Sequence, residues 1–345
     1  MLRRITAVLA SVTVLLAVAP SPARAAGGSY VALGDSFSSG TGTRSYLRDG
    51  TSCQRSVYAY PSLVASSRAL SLNLRACSGA TTADVANLQL GALTSATAYV
   101  SITVGGNDAG FTDVLTACAL PAWAGNCNGA IDRAQHIINN RLPGRLRTVY
   151  ASIRSRAPQA RVVVAGYPRI FNGEDCNALT WFSPTEQARL NASADQLNSR
   201  ISAAASAAGF AFTNPTTAFA GHAVCDDQEW LNGLSNPAGE SYHPNRLGHS
   251  SGYSPLVGRT LTGSVPPVSA LSQRQAESLS RRLSTQQRAH AAQDRSIRPE
   301  VFRLPDLSSP DVRRAATRAG VDLGSRASID AADRRYAAQQ ARAHR

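Results

Sequence analysis

The chain contains no lysine. All 35 basic residues are arginine, and against 22 acidic residues they leave a net charge of +13. With one basic residue type excluded throughout, the excess reads as a compositional bias rather than a functional signal. It is also unevenly placed: Pro266 to Arg345 holds 15 Arg against 8 acidic residues, and three more Arg stand before Ala25. What remains is only mildly basic, which argues against a nucleic-acid-binding surface and for charge-driven surface association of the carboxy-terminal part. Beyond residue 25 no segment supplies the roughly 20 apolar residues needed to span a bilayer, so a soluble mature protein is expected. No CxxC pair or tight Cys/His cluster occurs, which excludes the usual zinc frameworks. Aromatic residues make up only 6% and no internal repeat is evident, while the heavy use of Ala fits a helix-rich α/β protein.

The amino terminus carries Arg3 and Arg4, an apolar run from Ile5 to Ala19, then Pro20 and the small-residue stretch Ala23-Arg24-Ala25. This pattern is a signal peptide cut after Ala25, and it implies secretion. Cysteines stand at Cys53, Cys77, Cys118, Cys127, Cys176 and Cys225. An even count in an exported protein reads as disulfides, with many connectivities open. Sequential pairing is expected, because each pair then flanks one candidate loop and no bond crosses another.

Residues 26–262 alternate short apolar runs with helical patterns. Tyr30–Leu33, Leu72–Leu74, Val100–Val104, Val162–Ala165 and a weaker Phe210–Phe212 read as strands buried on both faces. Asp132–Arg156 and Pro184–Ala208 read as helices, the second with Ser183 as N-cap, Pro184 at its first position and Glu186 completing a capping box. Such alternation predicts an open α/β sandwich. Gly263 to Val268 then looks like a linker. The rest of 263–345 has few large apolar residues and is expected to form helices or disorder added to a finished domain.

Gly34-Asp35-Ser36 follows the first strand, where open α/β sheets bind ligands. A serine hydroxyl is a poor nucleophile until a base takes its proton. Cys77-Ser78-Gly79-Ala80 follows the second strand and Gly105-Gly106-Asn107-Asp108 the third, so all three loops converge on one side of the sheet. The Ser36 and Gly79 N–H groups and the Asn107 amide would supply donors for an oxyanion. Of six histidines, His136 falls within a helix pattern, His290 and His344 lie in the tail, and His222 and His249 sit in no recognisable frame. His243, in Ser241-Tyr242-His243-Pro244 after the last strand, is the candidate general base.

With Ser36, Gly79, Asn107 and His243 in this order, the sequence resembles the SGNH/GDSL hydrolases over roughly residues 28–260. It looks more narrowly like the secreted actinomycete lipases and phospholipases A1 of that family, which share the Val-Ala-Leu-Gly-Asp-Ser opening and the Ser-Tyr-His-Pro ending. The resemblance implies a flavodoxin-like three-layer sandwich around a five-stranded parallel sheet. It implies ester hydrolysis through a Ser36 acyl-enzyme with His243 as base, and no metal or organic cofactor. Many members place Asp three residues before the histidine, where this chain has Glu240. The group orienting His243 is therefore the Ser241 main-chain carbonyl, as in the closer relatives, or the Glu240 carboxylate. The expected substrate is a glycerolipid ester, cleaved by a monomer in peripheral contact with anionic surfaces. A short-chain carbohydrate esterase, and a non-catalytic envelope-binding protein, are the alternatives. All these residues precede the extension, so residue order alone implies that catalysis is complete without it.

Overall fold

The computed structural model describes residues 27–264 and 271–343; the signal peptide read over 1–25 and the linker residues 265–268 lie outside them. Five strands form one parallel sheet: β1 (Gly27–Gly34), β2 (Leu70–Leu74), β3 (Tyr99–Thr103), β4 (Arg161–Ala165) and β5 (Ala211–Thr213). Their order is β2-β1-β3-β4-β5. Each apolar run read as a strand overlaps one of them, with Val104 and Phe210 lying one residue outside, because Val, Ile and Leu buried on both faces are what a covered parallel sheet demands. The chain moves outward from β1 to β2 and then returns to β3, so the connections diverge between β1 and β3. Ligands bind at such a switch point, beyond the carboxyl ends of the strands.

Two groups of helices cover the sheet: Tyr60–Arg68 packs on Ser254–Thr262, and Cys127–Asn140, Leu142–Arg156 and Pro184–Ala207 pack together. The single helix expected over Asp132–Arg156 is in fact two, interrupted at Arg141. Pro143 has no N–H to donate and its ring crowds the preceding turn, so the first helix stops and a new one starts with proline in its first turn. Pro184–Ala207 has the capping box read from sequence, with the Ser183 hydroxyl and the Glu186 carboxylate each accepting the other's backbone N–H.

The extension forms helices Gln273–Arg288, Ala291–Asp294, Pro310–Ala319 and Arg326–Ala343. It buries more than its composition suggested, including Leu279, Leu283, Ile297, Phe302, Val312 and Ile329. The reason is that the preceding domain supplies the large surfaces. Trp123 and Trp181 form a second apolar cluster with Val312, Ala315 and Ile329, so small residues on the helices suffice.

Disulfides join Cys53–Cys77, Cys118–Cys127 and Cys176–Cys225, and no free cysteine remains. Closing loops of these lengths in the unfolded chain stabilises by about 3–4 kcal/mol each on the chain-entropy view. Peptide mapping without reduction is expected to return these three pairs and no free thiol; any crossed pair contradicts the packing of the loops.

Candidate active site

β1 ends at Gly34 with φ +114°, where an added Cβ would come within 2.0 Å of the Thr103 carbonyl oxygen on β3. Only glycine tolerates both the conformation and the approach. The Gln89 carboxamide stands in for a neighbouring strand here: it accepts the Gly34 N–H at 2.7 Å and donates to the Gly34 carbonyl at 2.8 Å. The chain then turns into the one-turn helix Ser36–Ser39, capped by Asp35, whose carboxylate accepts the Phe37 N–H at 3.0 Å. Ser36 is thereby presented at the switch point.

His243 arrives from the loop after β5. Its Nε2 lies 2.9 Å from Ser36 Oγ, and its Nδ1 lies 2.9 Å from the Ser241 carbonyl oxygen. A carbonyl oxygen can only accept, so Nδ1 carries the proton and Nε2 turns its lone pair to the serine hydroxyl. Glu240 does not touch the imidazole; its buried carboxylate faces Arg44, 3.6 Å away. Burial pulls the His243 pKa down to about 4, against the opposing hydrogen bond to Ser241. The ring is therefore neutral at neutral pH. His222 stacks on Trp230, and His249 accepts the Tyr60 N–H at 3.3 Å; neither is hydrogen-bonded to Ser36 Oγ.

Gly79 sits in a tight turn at φ +85°. On either side of it, Ser78 N–H donates to the Cys53 carbonyl and Ala80 N–H to the Cys77 carbonyl, whereas Gly79 N–H has no acceptor among the described residues. Asn107 Nδ2 donates one hydrogen to the Ala80 carbonyl at 2.9 Å, which leaves its other hydrogen for a ligand. Asp108 accepts from the Thr82 N–H at 2.8 Å and the Thr82 hydroxyl at 2.6 Å, clamping the third loop to the second.

The residues that lock these loops together were not read from sequence. Asp35 accepts from the Thr103 hydroxyl at 2.7 Å and from the Tyr167 hydroxyl at 2.5 Å, and Tyr167 in turn accepts the Gly106 N–H at 3.2 Å. Burial outweighs these bonds and raises the Asp35 carboxyl to about 6. Tyr167 lies just after β4, a carboxyl end like those bearing the other loops, which was the one signal available for it.

A pocket opens beside Ser36 and His243. Its lining is largely apolar: Phe111 and Val114 come from the helix Phe111–Cys118, Ile131 and Ile138 from Cys127–Asn140, and Leu190 and Leu197 from Pro184–Ala207. Cys118–Cys127 ties the first two of these helices together.

The pattern of the GDSL-like Lipase/Acylhydrolase family matches residues 32–250 of this chain. The chain belongs to that family. Among curated members, Lipase 1 of Streptomyces coelicolor is 44% identical over 244 residues, covering 70% of this chain and 89% of that protein. Two solved members superpose with TM-scores of 0.64 and cover 68% of this chain. They are the extracellular lipase of Streptomyces rimosus (44% identity, 99% of that chain) and phospholipase A1 of Streptomyces albidoflavus NA297 (43%, 100%). As a member of the family, the protein is a serine ester hydrolase.

Tyr167→Phe removes the shared hydroxyl and leaves the Asp35 carboxyl and the Gly106 N–H each short of a buried partner. The cost is expected at about 1–3 kcal/mol, measured as a lower denaturant midpoint at unchanged slope. A midpoint equal to wild type would show that the hydroxyl is dispensable.

Proposed function

We propose that the protein is a secreted lipase that cleaves acyl esters of glycerolipids through a Ser36 acyl-enzyme. The observation that carries this reading is the apolar pocket opening directly beside the Ser36–His243 pair, a lining suited to an acyl chain. Two Streptomyces relatives, a lipase and a phospholipase A1, agree with a lipid ester. The description of the Streptomyces rimosus enzyme as extracellular and the amino-terminal pattern Arg3 to Ala25 support secretion.

His243 Nε2 removes the Ser36 proton as Oγ attacks the ester carbonyl. Charge then develops on the carbonyl oxygen, for which the N–H groups of Ser36 and Gly79 and the second Asn107 amide hydrogen are the donors in this reading. His243 returns the proton to the leaving alcohol. Water, activated by the same nitrogen, releases the fatty acid and restores the serine. The Ser241 carbonyl holds the imidazole in the required tautomer throughout. On the outer surface, exposed Val301 and Leu304 stand among Arg298 and Arg303, supporting peripheral contact with an anionic lipid surface that weakens as salt screens it.

Ser36→Ala is expected to abolish hydrolysis of soluble and lipid esters and to eliminate labelling by a fluorophosphonate, with the thermal transition retained. Labelling or substantial turnover in that variant assigns the nucleophile elsewhere. The acid limb of kcat/KM supplies a second check. His243 is a competent base only when neutral, so activity persists below the ordinary histidine range and is lost as pH falls through about 4. An acid limb near 6.5 would show instead that the base is as open to water as a free histidine.

A further inference from the structure

We propose that the carboxy-terminal extension is a positioning element of the ester site, holding the Gly79 loop through Asp294, Ile297 and the Arg298–Pro299 backbone. The inference rests on the oxyanion role given above to Gly79. It lies beyond the family match, which ends at residue 250.

Arg55 and Arg75 flank the Gly79 loop, and their side chains are 0% and 1% exposed. Arg55 donates to the carbonyls of Arg75 and Ala76, immediately before Cys77-Ser78-Gly79. Both guanidinium groups close on one carboxylate from the extension: Asp294 lies 2.7 Å from Arg55 and 2.8 Å from Arg75. Three residues later Ile297, fully buried, packs on the Cys53–Cys77 disulfide and on Ala80. The strand of chain that follows then lies on Gly79 itself. A Cβ there would fall 2.1 Å from the Arg298 carbonyl oxygen and 2.8 Å from Pro299 Cα. The same segment reaches the other half of the site, where the Phe302 ring meets Tyr242 at 5.0 Å. Tyr242 precedes His243 and is held at φ +61°. Residues 294–302 therefore brace one loop bearing a proposed oxyanion donor and one bearing the base, without touching the pocket.

A donor displaced by a fraction of an ångström loses transition-state stabilisation while leaving ground-state binding nearly intact. Ile297→Ala is therefore expected to lower kcat on a soluble short-chain p-nitrophenyl ester by about tenfold or more, with KM within about twofold. Rates are normalised to sites labelled by fluorophosphonate. Ile297→Val should recover most of the loss. Ile329→Ala, in the distant Trp123/Trp181 cluster, should lower the thermal midpoint yet leave kcat unchanged. Should Ile297→Ala fail to fold, Pro299→Gly loosens the segment on Gly79 without emptying the core, and a selective fall in kcat is again expected. A folded Ile297→Ala or Pro299→Gly enzyme with wild-type kcat overturns the proposal, as does an equal loss in Ile329→Ala. Labelling of wild type at Ser36 tests the underlying mechanism separately.

Discussion

Beneath Ser36, the Asp35 carboxyl is closed off from water and shared by three donors, the Phe37 N–H and the hydroxyls of Thr103 and Tyr167. These groups come from the carboxyl ends of β1, β3 and β4. A buried carboxyl without partners costs several kcal/mol, so the three strand ends are held to one arrangement. Ser38 extends the network, bonding Thr103 at 2.8 Å and Tyr60 at 2.7 Å. The direction in which Ser36 points follows from this buried polar layer. Its own hydroxyl takes no part in that layer and is bonded instead to His243 Nε2.

Opposite the serine, a main-chain carbonyl does the orienting that a carboxylate does in a Ser-His-Asp triad. The carbonyl selects the Nδ1–H tautomer as firmly, but it brings a dipole rather than a full charge to the imidazolium that forms during proton transfer. With burial unopposed by an adjacent anion, the ring is pulled well below its ordinary value. A base of this kind is neutral over a wide acid range and correspondingly weak. More of the barrier must then be met at the developing oxyanion. In the proposed mechanism that weight falls on the loops around Gly79 and Asn107, which Asp108, the Cys53–Cys77 disulfide and the extension border.

The strands were legible because burial on both faces leaves a plain run of Val, Ile, Leu and Ala. The Ser36, Gly79, Asn107 and His243 loops were legible because each follows such a run or closes the last one. Tyr167 was not: its hydroxyl acts on Asp35 from 132 positions away, and its place just after a strand is the one local feature that separates it from a core tyrosine. The break at Arg141 is masked because apolar periodicity continues across it, and Pro143 is its one local mark. Choosing between Ser241 and Glu240 required three-dimensional placement, since both lie within three residues of His243 and only the backbone conformation decides which oxygen meets Nδ1.

The extension was misjudged for a different reason. Composition counts large apolar residues, whereas its anchor is a buried ion network. Arg55 donates to Asp49, Asp294 and two main-chain carbonyls; Arg75 donates to Gln287, Leu88 O and both oxygens of Asp294. Removing one member of such a network typically costs about 3–5 kcal/mol, because it strands a charge away from water, while replacing the whole set by apolar residues is often neutral. The network is therefore better understood as specifying where residue 294 must dock than as the source of the fold's stability. That specification needs guanidinium groups. Each arginine satisfies several acceptors in fixed directions from a planar fork, whereas an ammonium group has three donors and no plane. A lysine at position 55 could not serve Asp49, Asp294 and the Arg75 and Ala76 carbonyls beside the Gly79 loop together, and one at position 75 could not serve Gln287, Leu88 O and both oxygens of Asp294. In a chain whose basic residues are all arginine, the compositional bias thus meets a structural demand at these two positions, and the loop they border inherits its rigidity from both.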